Sequence, residues 1–146
     1  MKNYIEKYLM TSFVYAILAM VGGVFYREFT KFNGFYGKTT LSIVHTHYFI
    51  LGMFMFLILL LIEKNFHISD DKLIKKIIFY QFGLNITVLA FLMRGICQTL
   101  EMNIPKGFDA SISAVAGIGH ILIGMSLILI DIRKKIIASD NLIKES

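Results

Sequence analysis

The chain has 146 residues, 56% of them hydrophobic, with a net charge of +5 and a mean hydropathy of +0.67. Its charged residues are bunched between long uncharged runs, whereas a soluble domain interleaves charges with about 45–50% apolar residues. This pattern predicts an integral membrane protein, and basic loops facing anionic lipid explain the positive charge better than nucleic-acid binding does. The single cysteine, Cys97, excludes an intrachain disulfide.

The first two apolar runs predict two transmembrane helices joined by a glycine-containing loop. The first run covers residues 9–25 and lacks a small-residue cleavage site, so we expect a retained helix rather than a signal peptide. The second helix is predicted over residues 41–62, long enough to cross the roughly 30 Å hydrocarbon layer. Thr39 or Thr40 is expected to be its N-cap.

The next two apolar runs predict a third helix over residues 77–93 and a fourth over residues 110–130. Residues 63–76 are a charged connector between the second and third helices. Asp109 or Ser111 is expected to be the N-cap of the fourth helix.

Together these elements predict an all-α protein, an integral membrane four-helix bundle in one domain over residues 1–138, followed by a polar tail over residues 139–146. Ten lysines and arginines lie on the side of the N-terminus, the charged connector and the tail, and five lie on the other side. By the positive-inside rule, we expect a multi-pass protein of the cytoplasmic membrane with both termini in the cytoplasm.

Three histidines lie inside the predicted spans. His45 and His47 are five and seven residues after Thr40, roughly 8–10 Å from the outer end at 1.5 Å per residue. His120 lies roughly 16 Å into the fourth helix by the same rise. Ionisable residues are rare inside membranes and mark functional sites, so we treat these three as candidate ligands. The fourth histidine, His67, is expected to lie in a solvated loop.

The spacing of His45 and His47 decides what they could bind. Residues two apart differ by about 200° around a helix, so these two histidines cannot hold one metal ion together. They instead predict two separate sites, one on each side of the helix. Gly52 shares the face of His45 and would leave room for a flat ring or a close helix. In the alternative interpretation, the histidines are hydrogen-bonded core residues that hold helices together.

Arg27, Glu28 and Arg94 lie where helices are expected to leave the hydrocarbon on the outer side. They could simply anchor the helices at the interface. Alternatively, Arg27 and Arg94 could pair with the carboxylates of a bound cofactor, such as haem propionates, through bidentate contacts.

Several segments resemble a family of small four-helix bacterial membrane proteins known as a domain of unknown function. They are Phe25-Tyr26-Arg27-Glu28-Phe29-Thr30-Lys31, Val44-His45-Thr46-His47, Arg94-Gly95 and Asp109-Ala110-Ser111-Ile112-Ser113 through Gly119-His120. This resemblance covers nearly the whole chain and implies no activity.

The segment His45-Thr46-His47-Tyr48-Phe49-Ile50-Leu51-Gly52-Met53 resembles one helix of the catalytic subunit of haem-copper oxidases and nitric oxide reductases. The resemblance implies that His45 ligates a high-spin haem and His47 a low-spin haem. That subunit has twelve helices in three four-helix units, so a homotrimer of this chain would rebuild a similar assembly. The chain lacks the His-Pro-Glu and His-His segments of the copper site, which argues against oxygen reduction.

We therefore expect a membrane protein that binds haem b through His45 and His47, with His120 as an alternative or partner ligand, for electron transfer or for binding or sensing a small gas. One rival is a copper or other transition-metal site that uses the same histidines. The other is a cofactor-free channel, transporter or assembly subunit with a polar network. The sequence shows no phosphate-binding loop or nucleophile elbow, which argues against hydrolytic or nucleotide-dependent enzymes.

Overall fold

A computed structural model describes residues 4–130, and its regular structure there is entirely helical. Four helices are each long and apolar enough to cross a membrane, which confirms the predicted class of multi-pass, all-α protein. The polar tail predicted over residues 139–146, and the end of the domain up to residue 138, lie outside the described residues. The helices are α1 (Tyr4–Phe32), α2 (Leu41–Phe66), α3 (Asp71–Thr99) and α4 (Lys106–Leu129).

The helices extend well past the apolar runs that predicted them. The third helix was predicted over residues 77–93, but α3 runs from Asp71 to Thr99 and therefore contains Arg94. Its true start is marked by Asp70, whose side chain accepts a hydrogen bond of 2.6 Å from the Leu73 amide. Hydropathy identifies only the part of a helix inside the hydrocarbon, so charged helical turns outside it were assigned to loops.

The predicted N-cap of α2 is confirmed in position, since Thr40 precedes the helix, whereas the predicted caps of α4 were wrong. The side chain of Thr40, at the N-cap position of α2, makes no capping bond to the helix. The Thr39 hydroxyl instead accepts from the Leu41 amide at 3.3 Å. Helix α4 begins one turn earlier than predicted, directly after Pro105, so neither Asp109 nor Ser111 caps it.

Helix α3 holds the start of α2 through three hydrogen bonds. The Thr39 hydroxyl donates to the Gly95 carbonyl (3.0 Å), and the Thr40 hydroxyl donates to the Phe91 carbonyl (2.8 Å). The Thr40 amide donates to the side-chain oxygen of Gln98 at 2.8 Å. Gly95 permits this approach, because a Cβ there would lie 2.6 Å from the Leu41 nitrogen.

Within α2, the segment Tyr48–Phe54 is π-helical. Two neighbouring side chains bond to the carbonyls of this segment. The Tyr80 hydroxyl of α3 donates to the Leu51 carbonyl at 2.7 Å, and the Ser12 hydroxyl of α1 donates to the Met53 carbonyl at 3.0 Å. A side chain that replaces part of the regular hydrogen-bond ladder is a known cause of such irregularity. π-helical turns are rare and frequent at functional sites.

Helices α3 and α4 cross at two glycines. A Cβ on Gly83 would lie 2.9 Å from the Gly119 carbonyl oxygen, and a Cβ on Gly119 would lie 2.9 Å from the Gly83 carbonyl oxygen. The Gly119 Cβ would also overlap the hydroxyl of Thr87. Small residues at such a crossing let two backbones approach closely, which drives helix association in lipid. The crossing is adjacent to His120 and sets the position of that residue.

We predict that Gly119→Ala destabilises the protein by about 1–3 kcal/mol, because the added methyl forces α4 away from α3. The measurement is thermal unfolding of purified protein, followed by loss of helical circular dichroism. Gly117→Ala is the matched control on the same helix, since a Cβ there meets no described atom within 4 Å. Equal stability of the two variants would contradict the assigned helix crossing.

Candidate histidine site

The structure brings together two of the three candidate histidines. The ring centroids of His47 on α2 and His120 on α4 are 5.9 Å apart, and the ring planes are nearly perpendicular at 89°. The Phe91 ring of α3 lies beside the pair, 4.9 Å from His47 and 5.8 Å from His120. The three centroids form a nearly equilateral triangle, with one ring from each of three helices. We call this arrangement the histidine site.

Backbone hydrogen bonds fix which ring nitrogen of each histidine carries a proton. The Nδ1 of His47 lies 2.9 Å from the Ile43 carbonyl oxygen, and the Nδ1 of His120 lies 2.8 Å from the Ala116 carbonyl oxygen. A carbonyl oxygen only accepts, so Nδ1 is the protonated donor in both rings. In a neutral imidazole, this leaves Nε2 with its lone pair. A metal-ligating histidine typically uses its other nitrogen in this way, which orients the ring.

His45 faces a different side of α2, as its spacing from His47 predicts. It packs against α1, where a Cβ on Gly23 would lie 3.7 Å from the His45 Cβ. Its Nδ1 is buried and has no hydrogen-bond partner, while its Nε2 lies 3.4 Å from the Thr46 hydroxyl. A buried nitrogen without a partner is costly, so His45 is not simply a satisfied core histidine.

The three histidines do not form one metal site within a single chain. Within residues 4–130, no group of three His, Cys, Asp or Glu side chains is placed to hold a metal ion. His47 and His120 could supply two ligands to one centre, and His45 lies against α1 instead. A site built from this chain alone would therefore use two histidines. Haem iron and copper both accept two imidazole ligands.

Gly52 does contact α1, but the space beside it is filled. A Cβ on Gly52 would lie 2.6 Å from Cγ of Tyr15, whose ring packs directly on the glycine. Of the two roles expected for Gly52, the structure therefore shows the close approach of a helix. The Tyr15 ring occupies the place that was expected for a flat cofactor.

The two arginines have different surroundings. Arg94 Nη2 donates to the Asp109 carboxylate at 2.7 Å, to the Asp109 carbonyl at 2.9 Å and to the Ser113 hydroxyl. Arg94 thereby joins the C-terminal end of α3 to the N-terminal end of α4, and its side chain is 25% exposed. Arg27 is largely exposed and lies 3.8 Å from the Glu28 carboxylate. Any role of either arginine toward cofactor carboxylates stays a prediction.

Two groups of residues near the centre of the structure were not singled out from the sequence. Phe91 is one of many phenylalanines and carries no signal that it lies between two histidines. The second group is a hydrogen-bonded network around Asn85, and here a signal existed. Gln81 and Asn85 are polar, four residues apart and inside an otherwise apolar run, so they share one face of α3.

Comparison with known proteins gives a family match and no functional relative. Residues 5–135 match the family model described as protein of unknown function, DUF2871. Neither the curated proteins nor the solved structures contain a significant match. The predicted membership in a family of unknown function is thereby confirmed, and the resemblance to haem-copper oxidases stays a prediction.

Proposed function

We propose that this chain, which belongs to the DUF2871 family of proteins of unknown function, is a membrane protein that binds haem b through His47 and His120 and transfers electrons. The pair of perpendicular imidazoles, each with a free Nε2, carries the proposal. Metal–nitrogen bonds are about 2 Å long, so rings whose centroids are 5.9 Å apart are close enough for His47 and His120 to hold one metal centre between them.

The residues of the chain would tune such a centre in two ways. The Nδ1–H bonds to the Ile43 and Ala116 carbonyls hold both rings in place and make Nε2 a stronger base. The surrounding apolar helices exclude water and lower the local dielectric constant, which shifts the reduction potential of haem iron. When bound, haem supplies one-electron chemistry. Ligation by both histidines would favour electron transfer over gas binding.

A copper site is the second candidate, and the position of Phe91 favours it. A porphyrin spreads in all directions around its iron, and the Phe91 ring stands beside the line between the two histidines. Phe91 would therefore have to rotate to admit haem. A single ion between the two rings would leave Phe91 in place, and imidazole is a suitable copper ligand.

We also propose that the protein is a homotrimer. Three copies would give twelve helices, the number in the catalytic subunit of haem-copper oxidases, one helix of which resembles the second helix of this chain. Two observations support self-association. His120 is exposed in the middle of α4, and imidazoles within membranes almost always face a protein interior or a water-filled cavity. In addition, only 22% of the membrane-spanning windows of α1 and α4 is buried within one chain. Neighbouring copies would cover part of these faces.

The cytoplasmic membrane and the cytoplasmic position of both termini are likewise proposed, from the excess of lysine and arginine on one side. We predict that a reporter fused after Ser146 is active if it functions in the cytoplasm and inactive if it functions only after export. A matched fusion in the loop after α1 should show the opposite pattern. Activity of an exported reporter at Ser146 would reverse the assigned orientation.

We predict that protein purified from haem-replete cells shows α and Soret bands, and that His47→Ala or His120→Ala abolishes the spectrum of two-histidine ligation. The measurement is a reduced-minus-oxidised visible spectrum with haem quantitation. His67→Asn is the control, because His67 is exposed and left-handed (φ 47°), a conformation that asparagine tolerates. This control should keep its bands.

Three outcomes of this experiment would contradict parts of the proposal. A colourless, metal-free wild type would overturn cofactor binding and leave the polar-network interpretation. Loss of the bands in His45→Ala alone would identify His45, on the α1 side of α2, as the haem ligand. Analytical ultracentrifugation of the same sample should give a mass of three 16.7 kDa chains. A monomer with full haem occupancy would overturn the trimer and leave haem binding intact.

We predict that Phe91→Ala distinguishes haem from copper. If haem binds between His47 and His120, removal of the Phe91 ring should raise or preserve haem occupancy, because the porphyrin no longer has to displace that ring. If copper binds there, the variant should acquire no Soret band, and copper should be retained unless His47 is also replaced. The measurement is haem and copper content per chain. Leu92→Ala, one position away on α3, is the control for a lost apolar side chain.

A further inference from the structure

A groove between α1 and α3 lies apart from the histidine site. Its volume is about 380 Å³, within the range of small-molecule sites. The groove has an apolar rim on the outside of the helix bundle, where Met10 and Val14 are about half exposed. It therefore opens toward the bilayer rather than toward water. We call it the midplane groove, and its lining residues are Met10, Thr11, Val14, Tyr15, Leu18, Gln81 and Asn85.

The polar groups of this groove lie deep in the hydrocarbon. Asn85 is the middle residue of the 29-residue α3, and Gln81 lies one turn before it. With a hydrocarbon layer roughly 30 Å thick, Asn85 is roughly 15 Å from either interface. Lipid head groups and glycerol esters lie at the interfaces, so they do not reach these side chains. Polar groups facing a lipid-accessible groove at this depth cost free energy unless something hydrogen-bonds to them.

The hydrogen bonds of Asn85 leave Tyr15 with an unused proton. Asn85 Nδ2 donates to the Gln81 carbonyl (2.8 Å), which only accepts, and this fixes the orientation of the amide. The same Nδ2 donates to the Tyr15 hydroxyl oxygen (3.0 Å), while Asn85 Oδ1 accepts from the Tyr48 hydroxyl (3.1 Å). The Tyr15 hydroxyl is thus an acceptor here, and among residues 4–130 its own hydrogen has no acceptor.

Gln81 is the second group without a partner. Its side-chain amide makes no hydrogen bond to any residue that the structure describes, although it is half-buried and lines the groove. Tyr15 is only 4% exposed, so its free O–H lies buried at the groove and not on the protein surface. The groove therefore offers at least two donors, the Tyr15 hydroxyl and the Gln81 amide, within an apolar, membrane-facing wall.

We propose that the midplane groove binds the head group of a lipid-soluble quinone. A quinone carries carbonyl oxygens that accept from Tyr15 and Gln81 and a flat apolar ring that fits between the helices. Its hydrocarbon tail leaves over Met10 and Val14 into the bilayer. Quinones dissolve in the hydrocarbon layer, so they reach the depth of Asn85, which phospholipid head groups do not. The proposal concerns binding and does not rest on haem or copper at the histidine site.

The test uses the full-length protein in quinone-free lipid nanodiscs, with decylubiquinone as the probe. Binding is followed by quenching of tyrosine fluorescence, which is usable because the chain contains no tryptophan. Tyr15→Phe and Gln81→Leu should each weaken binding about three- to tenfold, the value of one hydrogen bond. Tyr80→Phe is the matched control, because the Tyr80 hydroxyl bonds to the Leu51 carbonyl and does not line the groove. Its affinity should stay within about twofold of the wild type.

Two further measurements separate the possible outcomes. Decylbenzene has the same tail without carbonyls and should not compete with decylubiquinone. Equal affinities of wild type, Tyr15→Phe and Gln81→Leu, or full competition by decylbenzene, would overturn the proposal and reduce the groove to a contact for lipid tails. His47→Ala should bind decylubiquinone like the wild type, so failure of the haem proposal and failure of this one are distinguishable.

Discussion

Every polar group inside a lipid bilayer has to find its hydrogen-bond partner within the protein, and this constraint organises the whole structure. The Ser12 and Tyr80 hydroxyls bond to carbonyls of α2, and the Thr40 hydroxyl bonds to a carbonyl of α3. Even the two histidine Nδ1 groups of the histidine site bond to carbonyls of their own helices. Against this background, groups left without partners among residues 4–130 are informative. They include Nδ1 of His45, Nε2 of His47 and His120, the hydroxyl hydrogen of Tyr15 and the amide of Gln81.

Helix α3 determines where those groups lie relative to one another. It holds the start of α2 through hydrogen bonds at Gly95 and Phe91, and it holds α4 through the crossing at Gly83. The ion pair between Arg94 and Asp109 adds a second attachment of α4 near its N-terminal end. Because α2 and α4 are both fixed to α3, the rings of His47 and His120 meet although α2 and α4 need not pack directly on each other.

The sequence predicted the number of helices, their apolar spans and the division of His45 and His47 between two sides of α2, because these follow from hydropathy and from the helical angle alone. It could not predict that His47 meets His120, since that depends on the crossing at Gly119. The π-helical segment was also missed, because partners from two other helices bond to its carbonyls. Asp109 was interpreted as a cap, although its carboxylate binds Arg94, since the sequence pattern did not show that α4 starts at Lys106.

Hydrogen-bonded side chains connect α2, beside the histidine site, to the midplane groove. Tyr48 directly follows His47, and its hydroxyl donates to Asn85, which in turn donates to Tyr15 of the groove. Consecutive helical residues point about 100° apart, so one turn of α2 faces the histidine pair on one side and the groove network on the other. A molecule bound to Tyr15 in the groove would thus be connected through the side chains of Tyr15 and Asn85 to Tyr48, the residue that follows His47. This connection makes the two proposals compatible with one electron-transfer protein.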